Sequence, residues 1–193
     1  ESRGLGDVYK RQIKDPGLAS IGEDEVKWAQ RQMQVLEDIK LDFEKRKPLD
    51  GLNIGACMHV TKETANLILT LQSAGANVAL CASNPLSTND SVAAYLAEND
   101  IEVHAIRGVS NDEFFKHLNL VLDTNPDITM DDGADLVTLL HTDRSAISVL
   151  GSMEETTTCV IRLKSMEKNN KLRFPVVAVN DSDTKHLFDN RFG

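Results

Sequence analysis

An α/β fold is predicted: three layers around a doubly wound, mainly parallel sheet of Rossmann-like type, preceded by an N-terminal helix. Two observations predict it. Short β-type runs at 52–58, 78–81, 101–106, 127–130, 146–150 and 176–179 alternate with helical stretches at 61–73, 91–98, 112–122, 134–141 and 154–167. Short apolar strands joined by helices call for a parallel sheet covered on both faces. Right-handed crossovers then bring the strands' C-terminal ends to one edge. Those ends carry Met58-His59-Val60-Thr61, Ala82-Ser-Asn-Pro-Leu-Ser-Thr-Asn89, Arg107-Gly108, Asp131-Asp132-Gly133, Gly151-Ser-Met-Glu154-Glu155-Thr-Thr-Thr158, and the stretch from Asn180 to Asp189. They define a polar crevice of the kind in which open α/β sheets bind ligands.

The elements follow in order. The first twelve residues have neither period nor caps and are read as a non-native leader outside the fold. Asp15-Pro-Gly-Leu is loop chemistry, and Ser20 with Glu23 has capping-box spacing. Val26, Ala29, Met33, Leu36, Ile39 and Phe43 then recur at steps of three and four, which predicts one amphipathic helix running to about Lys47 and ended by Pro48. Trp28 lies off that stripe and is read as a packing residue. The remaining strands and helices are those of the alternation, closing with Val176 to Val179 and a helix start near Asp181.

Composition narrows the function. With 193 residues, 41% of them hydrophobic, the chain can bury one sizeable core. Thirty acidic residues against 21 basic ones, with no Lys/Arg run interleaved with aromatics, exclude nucleic acid and anionic membrane as partners and leave a small molecule. Cys57, Cys81 and Cys159 form no C-x-x-C pair, so free thiols in a reducing, cytoplasmic setting are expected. No apolar run approaches the roughly 18 residues that span a bilayer. The five histidines show no metal-binding spacing, so no metal is expected.

Each polar group has a structural reading beside a functional one. His59 at a strand–helix junction is a capping or packing residue, or a crevice residue. Asp131 and Asp132 cap and turn the next helix, or supply a general acid or base. Glu154, Glu155, Thr156, Thr157 and Thr158 are ordinary helix-start chemistry, or a ribose anchor with a hydroxyl run along a cofactor edge. Lys185 and Asp189 form an exposed i,i+4 ion pair, or a base acting on a hydroxyl. A phosphoacceptor receiver domain would need a lone Asp ending a middle strand and a Pro after the late Lys; here the third strand ends in Ile106-Arg107-Gly108 and His186 follows Lys185.

The ordered set Asp15-Pro-Gly-Leu-Ala-Ser, Cys57-Met-His-Val-Thr-Lys-Glu-Thr, Cys81-Ala-Ser-Asn-Pro-Leu-Ser-Thr, Asp131-Asp-Gly-Ala-Asp, Glu154-Glu-Thr-Thr-Thr and Val179-Asn-Asp-Ser-Asp-Thr-Lys-His-Leu-Phe-Asp-Asn strongly resembles the S-adenosylhomocysteine hydrolase (adenosylhomocysteinase) family, from about Ile13 to the end. That resemblance implies reversible cleavage of S-adenosylhomocysteine to adenosine and homocysteine with tightly bound NAD. In that chemistry the 3′-hydroxyl is oxidised to a ketone, the 4′ proton becomes acidic, homocysteine is expelled, water adds and the hydride returns. By motif match, Lys185 with Asp189 serves the 3′-hydroxyl, Asp132 the 4′ proton, and His59 the departing sulfur or entering water. Glu155 holds the ribose hydroxyls, and Thr61 and Glu63 lie toward adenine. Thr156, Thr157, Thr158 and Asn190 match positions that touch the nicotinamide cofactor. The family is multimeric, so a homo-oligomer is implied for the parent protein.

Three departures accompany the resemblance. Gln34 stands where members often have Pro, and Cys159 where they often have Gly. No G-x-G-x-x-G turn occurs in the 193 residues. The expectation is therefore an incomplete substrate-binding domain at 13–193 without the NAD-binding domain, inactive on its own. The alternatives are a nucleoside-binding module without catalysis and an S-inosylhomocysteine-type hydrolase.

Overall fold

A computed structural model describes residues 11–185. Its sheet has six parallel strands: β1 (Asn53–Cys57), β2 (Asn77–Cys81), β3 (Glu102–His104), β4 (Ile128–Asp131), β5 (Gly151–Glu154) and β6 (Val176–Ala178), in the spatial order β3-β2-β1-β4-β5-β6. Helices α1 (Ala19–Gln30), α2 (Gln34–Arg46), α3 (Lys62–Ser73), α4 (Asp90–Glu98), α5 (Asn111–Asp123), α6 (Asp135–His141) and α7 (Thr157–Lys168) complete it. The predicted doubly wound α/β architecture is what forms. The order reverses between β1 and β4, so the chain leaves β1 toward one edge and returns to begin the other half beside it.

Side-chain alternation explains the two covered faces. Ile54 and Ala56 point, with Leu80, Val103 and Met130, into a core closed by Val26 of α1, Ile68 of α3 and Leu96 of α4. Cys57 and Cys81 point the opposite way, against Leu118 of α5 and Leu136 and Leu140 of α6. A third cluster joins Val137 of α6 to Cys159 and Leu163 of α7. The Cys57 thiol is driven upward in pKa by its hydrogen bond with Cys81 and by burial, which suits an inert strand residue.

The N-terminal region departs from the predicted single helix. The chain enters through a 3₁₀ turn, Pro16–Leu18, capped by Asp15, whose carboxylate accepts Gly17 N–H at 2.8 Å; Ser20 lies inside α1 and caps nothing. The helix then stops at Gln30, and Met33 (φ −112°, ψ 51°) redirects the chain into α2, with Gln30 Nε2 donating to Glu37 Oε2 at 2.6 Å across the corner. α1 buries Val26 and Ala29, whereas α2 buries no residue and leaves Val35, Ile39 and Leu41 exposed, so the three-and-four spacing runs across the corner without marking it. Trp28 is exposed rather than packed, with the Lys62 ammonium 4.2 Å from its ring centroid. Arg11 and Gln12, which the sequence sets outside the fold, dock on the sheet: Gln12 N–H donates to Val103 O at 2.7 Å and Arg11 pairs with Asp100 at 2.8 Å.

The fifth strand is also displaced. The β-type residues at 146–150 leave Leu150 exposed, and the strand is the polar tetrapeptide Gly151–Glu154. Its inward polar groups are satisfied within the protein, Thr129 Oγ1 donating to Ser152 Oγ at 2.8 Å, which removes the penalty of burying them.

Gly22 lets α1 lie directly on α4. A Cβ built there would sit 2.0 Å from Ser91 O, and backbone cannot retreat as a side-chain tip can. Gly22→Ala is expected to lower stability by about 1–3 kcal/mol despite alanine's better helix propensity, read as a shift of the urea midpoint.

Candidate active site

The crevice is assembled from strand ends. β1 delivers His59, and Thr61 caps α3 through its hydroxyl, which accepts Thr64 N–H at 3.3 Å. β2 delivers Ser83, and β4 delivers Asp132, whose N–H is tied to Cys57 O at 3.0 Å. The imidazole of His59 stands between them, with Nδ1 3.0 Å from Ser83 Oγ and Nε2 3.4 Å from Asp132 Oδ2. Asp132 is 12% exposed at its side chain and His59 52%, so the carboxylate is sheltered while the ring faces the opening. These groups sit at the topological switch between β1 and β4, where open α/β sheets place ligands.

A cleft of about 640 Å³ opens beside them, lined by His59, Thr61 and Glu63, with Glu25, Asn84 and Arg107 on its other walls. Its size suits a small ligand. Asn89 Nδ2 donates to Glu25 Oε2 at 2.6 Å, fixing the rim that α1 and α4 share.

The ends of β5 and β6 supply a second group. Glu155 Oε1 and Lys185 Nζ are in direct contact, each about one-third exposed at the side chain. Asp189 and Asn190 lie outside the described residues. The threonine run divides: Thr156 turns its hydroxyl inward to Glu154, Thr157 Oγ1 accepts from Asn180 Nδ2 at 2.6 Å, and Thr158 is exposed in the first turn of α7.

The two acidic pairs also divide. Asp131 is buried, its Oδ2 accepting Val137 N–H at 2.9 Å and its Oδ1 without a partner among the described residues, whereas Asp132 reaches the crevice. Burial pushes the Asp131 carboxyl up to about 8, the Val137 bond opposing and the charge of Glu154 adding. Glu154 is wholly buried and Glu155 is half-buried, held on Lys185. Sequence reasoning assigned no role to Ser83, Glu25, Asn84 or Arg107; the strand-end position of Ser83 was the available signal, while Glu25 reaches the cleft from α1, which no strand rule covers.

A family model described as S-adenosyl-L-homocysteine hydrolase matches residues 10–149 and 143–191. The chain belongs to the S-adenosyl-L-homocysteine hydrolase family. It is 52% identical over 184 residues to the adenosylhomocysteinase of Aquifex aeolicus, covering 94% of this chain and 44% of that relative. It is 50% identical to the adenosylhomocysteinase of Pyrococcus abyssi, over 94% of this chain and 43% of the relative. It is also 50% identical to the S-inosyl-L-homocysteine hydrolase of Methanococcus maripaludis, over 94% and 44%. The chain thus spans less than half the length of these relatives, and it is equally similar to the adenosyl- and inosyl-homocysteine enzymes among them.

Proposed function

We propose that this chain supplies the substrate-binding and acid–base residues of an NAD-dependent hydrolase that reversibly splits S-adenosyl-L-homocysteine into adenosine and L-homocysteine. The observation that carries the reading is His59 held between Ser83 and Asp132 at the β1/β4 switch, with the Glu155–Lys185 pair on the neighbouring strand ends. Two carboxylates, an imidazole and an amine around one opening are what a stepwise proton-transfer sequence on a ribose requires.

Thr157 and Thr158 present hydroxyls at the first turn of α7, which fits contact with one edge of a nicotinamide ring, and Asn190 is assigned to the same edge. The chain has no glycine-rich turn to hold a pyrophosphate, so these side chains fit an edge contact and not the whole cofactor. When bound, NAD supplies reversible hydride removal at the ribose C3′.

The chain's own groups handle protons. Glu155 accepts hydrogen bonds from the ribose hydroxyls, which enter where Lys185 now meets it. Lys185, aided by Asp189, takes the 3′-hydroxyl proton. Asp132 removes the 4′ proton, its sheltered carboxylate having lost part of its solvation before substrate arrives. His59 gives a proton to the departing sulfur or takes one from the entering water. Thr61 and Glu63 line the base end of the cleft, and Glu63, an acceptor only, matches the exocyclic amine of adenine.

The test is a hybrid in which this chain replaces the matching part of the Aquifex aeolicus relative. It should release homocysteine from S-adenosyl-L-homocysteine faster than from the inosyl analogue. A hybrid that melts cooperatively and binds NAD yet releases none overturns the reading. A preference for the inosyl analogue transfers the assignment to the S-inosyl-L-homocysteine hydrolases.

A further inference from the structure

The most enclosed charge near the site is not one of the crevice residues. Glu154 ends β5 with no exposure, and its carboxylate binds two separate loops. Oε1 accepts Gly133 N–H at 3.1 Å and Thr156 N–H at 2.9 Å, and it also takes the Thr156 hydroxyl; Oε2 accepts Ala134 N–H at 3.0 Å. Gly133 and Ala134 form the turn directly after Asp132. Thr156 directly follows Glu155.

That turn would not hold its shape unaided. Gly133 has φ +136° and Ala134 φ +58°, and an alanine in the left-handed region carries a strain of about 1–2 kcal/mol. Successive N–H groups turned to one side form an anion-binding concavity, and here an internal carboxylate fills it. Taking this carboxylate out of water carries a cost that its four hydrogen bonds must offset. A core glutamate this expensive would be replaced by an apolar residue without loss if it only filled space.

We propose that Glu154 is a positioning residue, a buried brace that locks the Asp132 turn and the Glu155 loop at a fixed separation so that the two carboxylates meet one ribose from opposite sides. The idea rests on the proposed function for what Asp132 and Glu155 do, but not for the brace itself. Because one carboxylate serves both loops, loosening either loop is transmitted to the other.

Amide hydrogen exchange tests the brace without any catalytic readout. In the 193-residue chain, Thr156→Val removes one donor on the β5 side and leaves the β4 side untouched. Exchange at Gly133 and Ala134 should nevertheless rise at least about tenfold, with the sheet amides of β1 and β4 unchanged. Glu154→Gln should do the same more strongly and weaken adenosine binding by about 10–100-fold, as expected on losing hydrogen bonds to a charged group. In the hybrid, Glu154→Gln should lower kcat more than it raises KM, and Glu154→Asp, which keeps the charge but is one methylene short, should restore part of kcat. If Glu154→Gln does not fold, the Thr156→Val result stands alone. Unchanged exchange at Gly133 and Ala134, or a rise spread evenly over the whole sheet, overturns the brace. Intact turnover after replacing Asp132, with the exchange result as expected, would instead sink the proposed function and leave the brace standing.

Discussion

Asp132→Asn in the hybrid enzyme lowers turnover by about 10²–10⁴-fold, the usual worth of a positioned general base, while the chain still binds adenosine. The asparagine keeps the size of the side chain and its N–H bond to Cys57 O, so the His59 bracket loses charge and not geometry. Lys185→Met should produce a loss of similar size through a different step, because the Glu155 carboxylate is then left without its cation. Combining the two should cost far less than the product of the single losses, since groups that serve one reaction sequence are not additive. The measurement is homocysteine release under saturating substrate. Near-normal release by either single variant removes that residue from the mechanism.

A second large effect concerns stability against pH. The Asp131 carboxyl is held up to about 8 in the folded protein by burial, against an ordinary value of 3.8. Between those limits the folded chain keeps a proton that the unfolded chain has lost. The stabilisation linked to Asp131 is therefore complete below about pH 4 and is lost as pH rises toward 8. His117 works the other way: burial lowers it to about 4 from 6.5, so its contribution grows with pH until about 6.5. Above pH 6.5 the Asp131 slope has no such opponent. The urea midpoint of the native sequence should fall from pH 6.5 to 8, with a slope of up to about 1.4 kcal/mol per pH unit. In Asp131→Asn, whose amide oxygen can still accept Val137 N–H, the fall should vanish. A native-sequence midpoint that is flat or rising over that range contradicts a buried, protonated Asp131.

Which parts of this molecule were legible beforehand has a physical pattern. Strands β1, β2, β4 and β6 and helices α3 to α6 read correctly because their apolar periods agree with where they are buried. The corner at Met33 did not read, because the three-and-four spacing of apolar residues has no gap there. β5 did not read, because Ser152 and Glu154 are buried through hydrogen bonds that no single residue announces. The same shift hid the division of labour between Glu154 and Glu155: placing the strand five residues early made both look like a helix start. His59, Asp132, Glu155 and Lys185 were legible as candidates because strand ends converge by topology. Ser83 was placed at the crevice by its strand-end position but given no role, since a serine there shows its use only once its partner, His59 Nδ1, is known.

The central pairing of β1 with β4 also has a consequence for how the site comes into being. Ile54 lies beside Ile128, so the sheet joins positions 74 apart in the chain (128 − 54). Closing a loop of that length costs more entropy than closing the β1–α3–β2 crossover, which pairs Ile54 with Val78. His59 and Ser83 can meet early, on elements adjacent in sequence, but Asp132 reaches them only when the two halves of the sheet zip together. Asp132 therefore joins His59 and Ser83 through a pairing of greater sequence separation than the one that brings those two together.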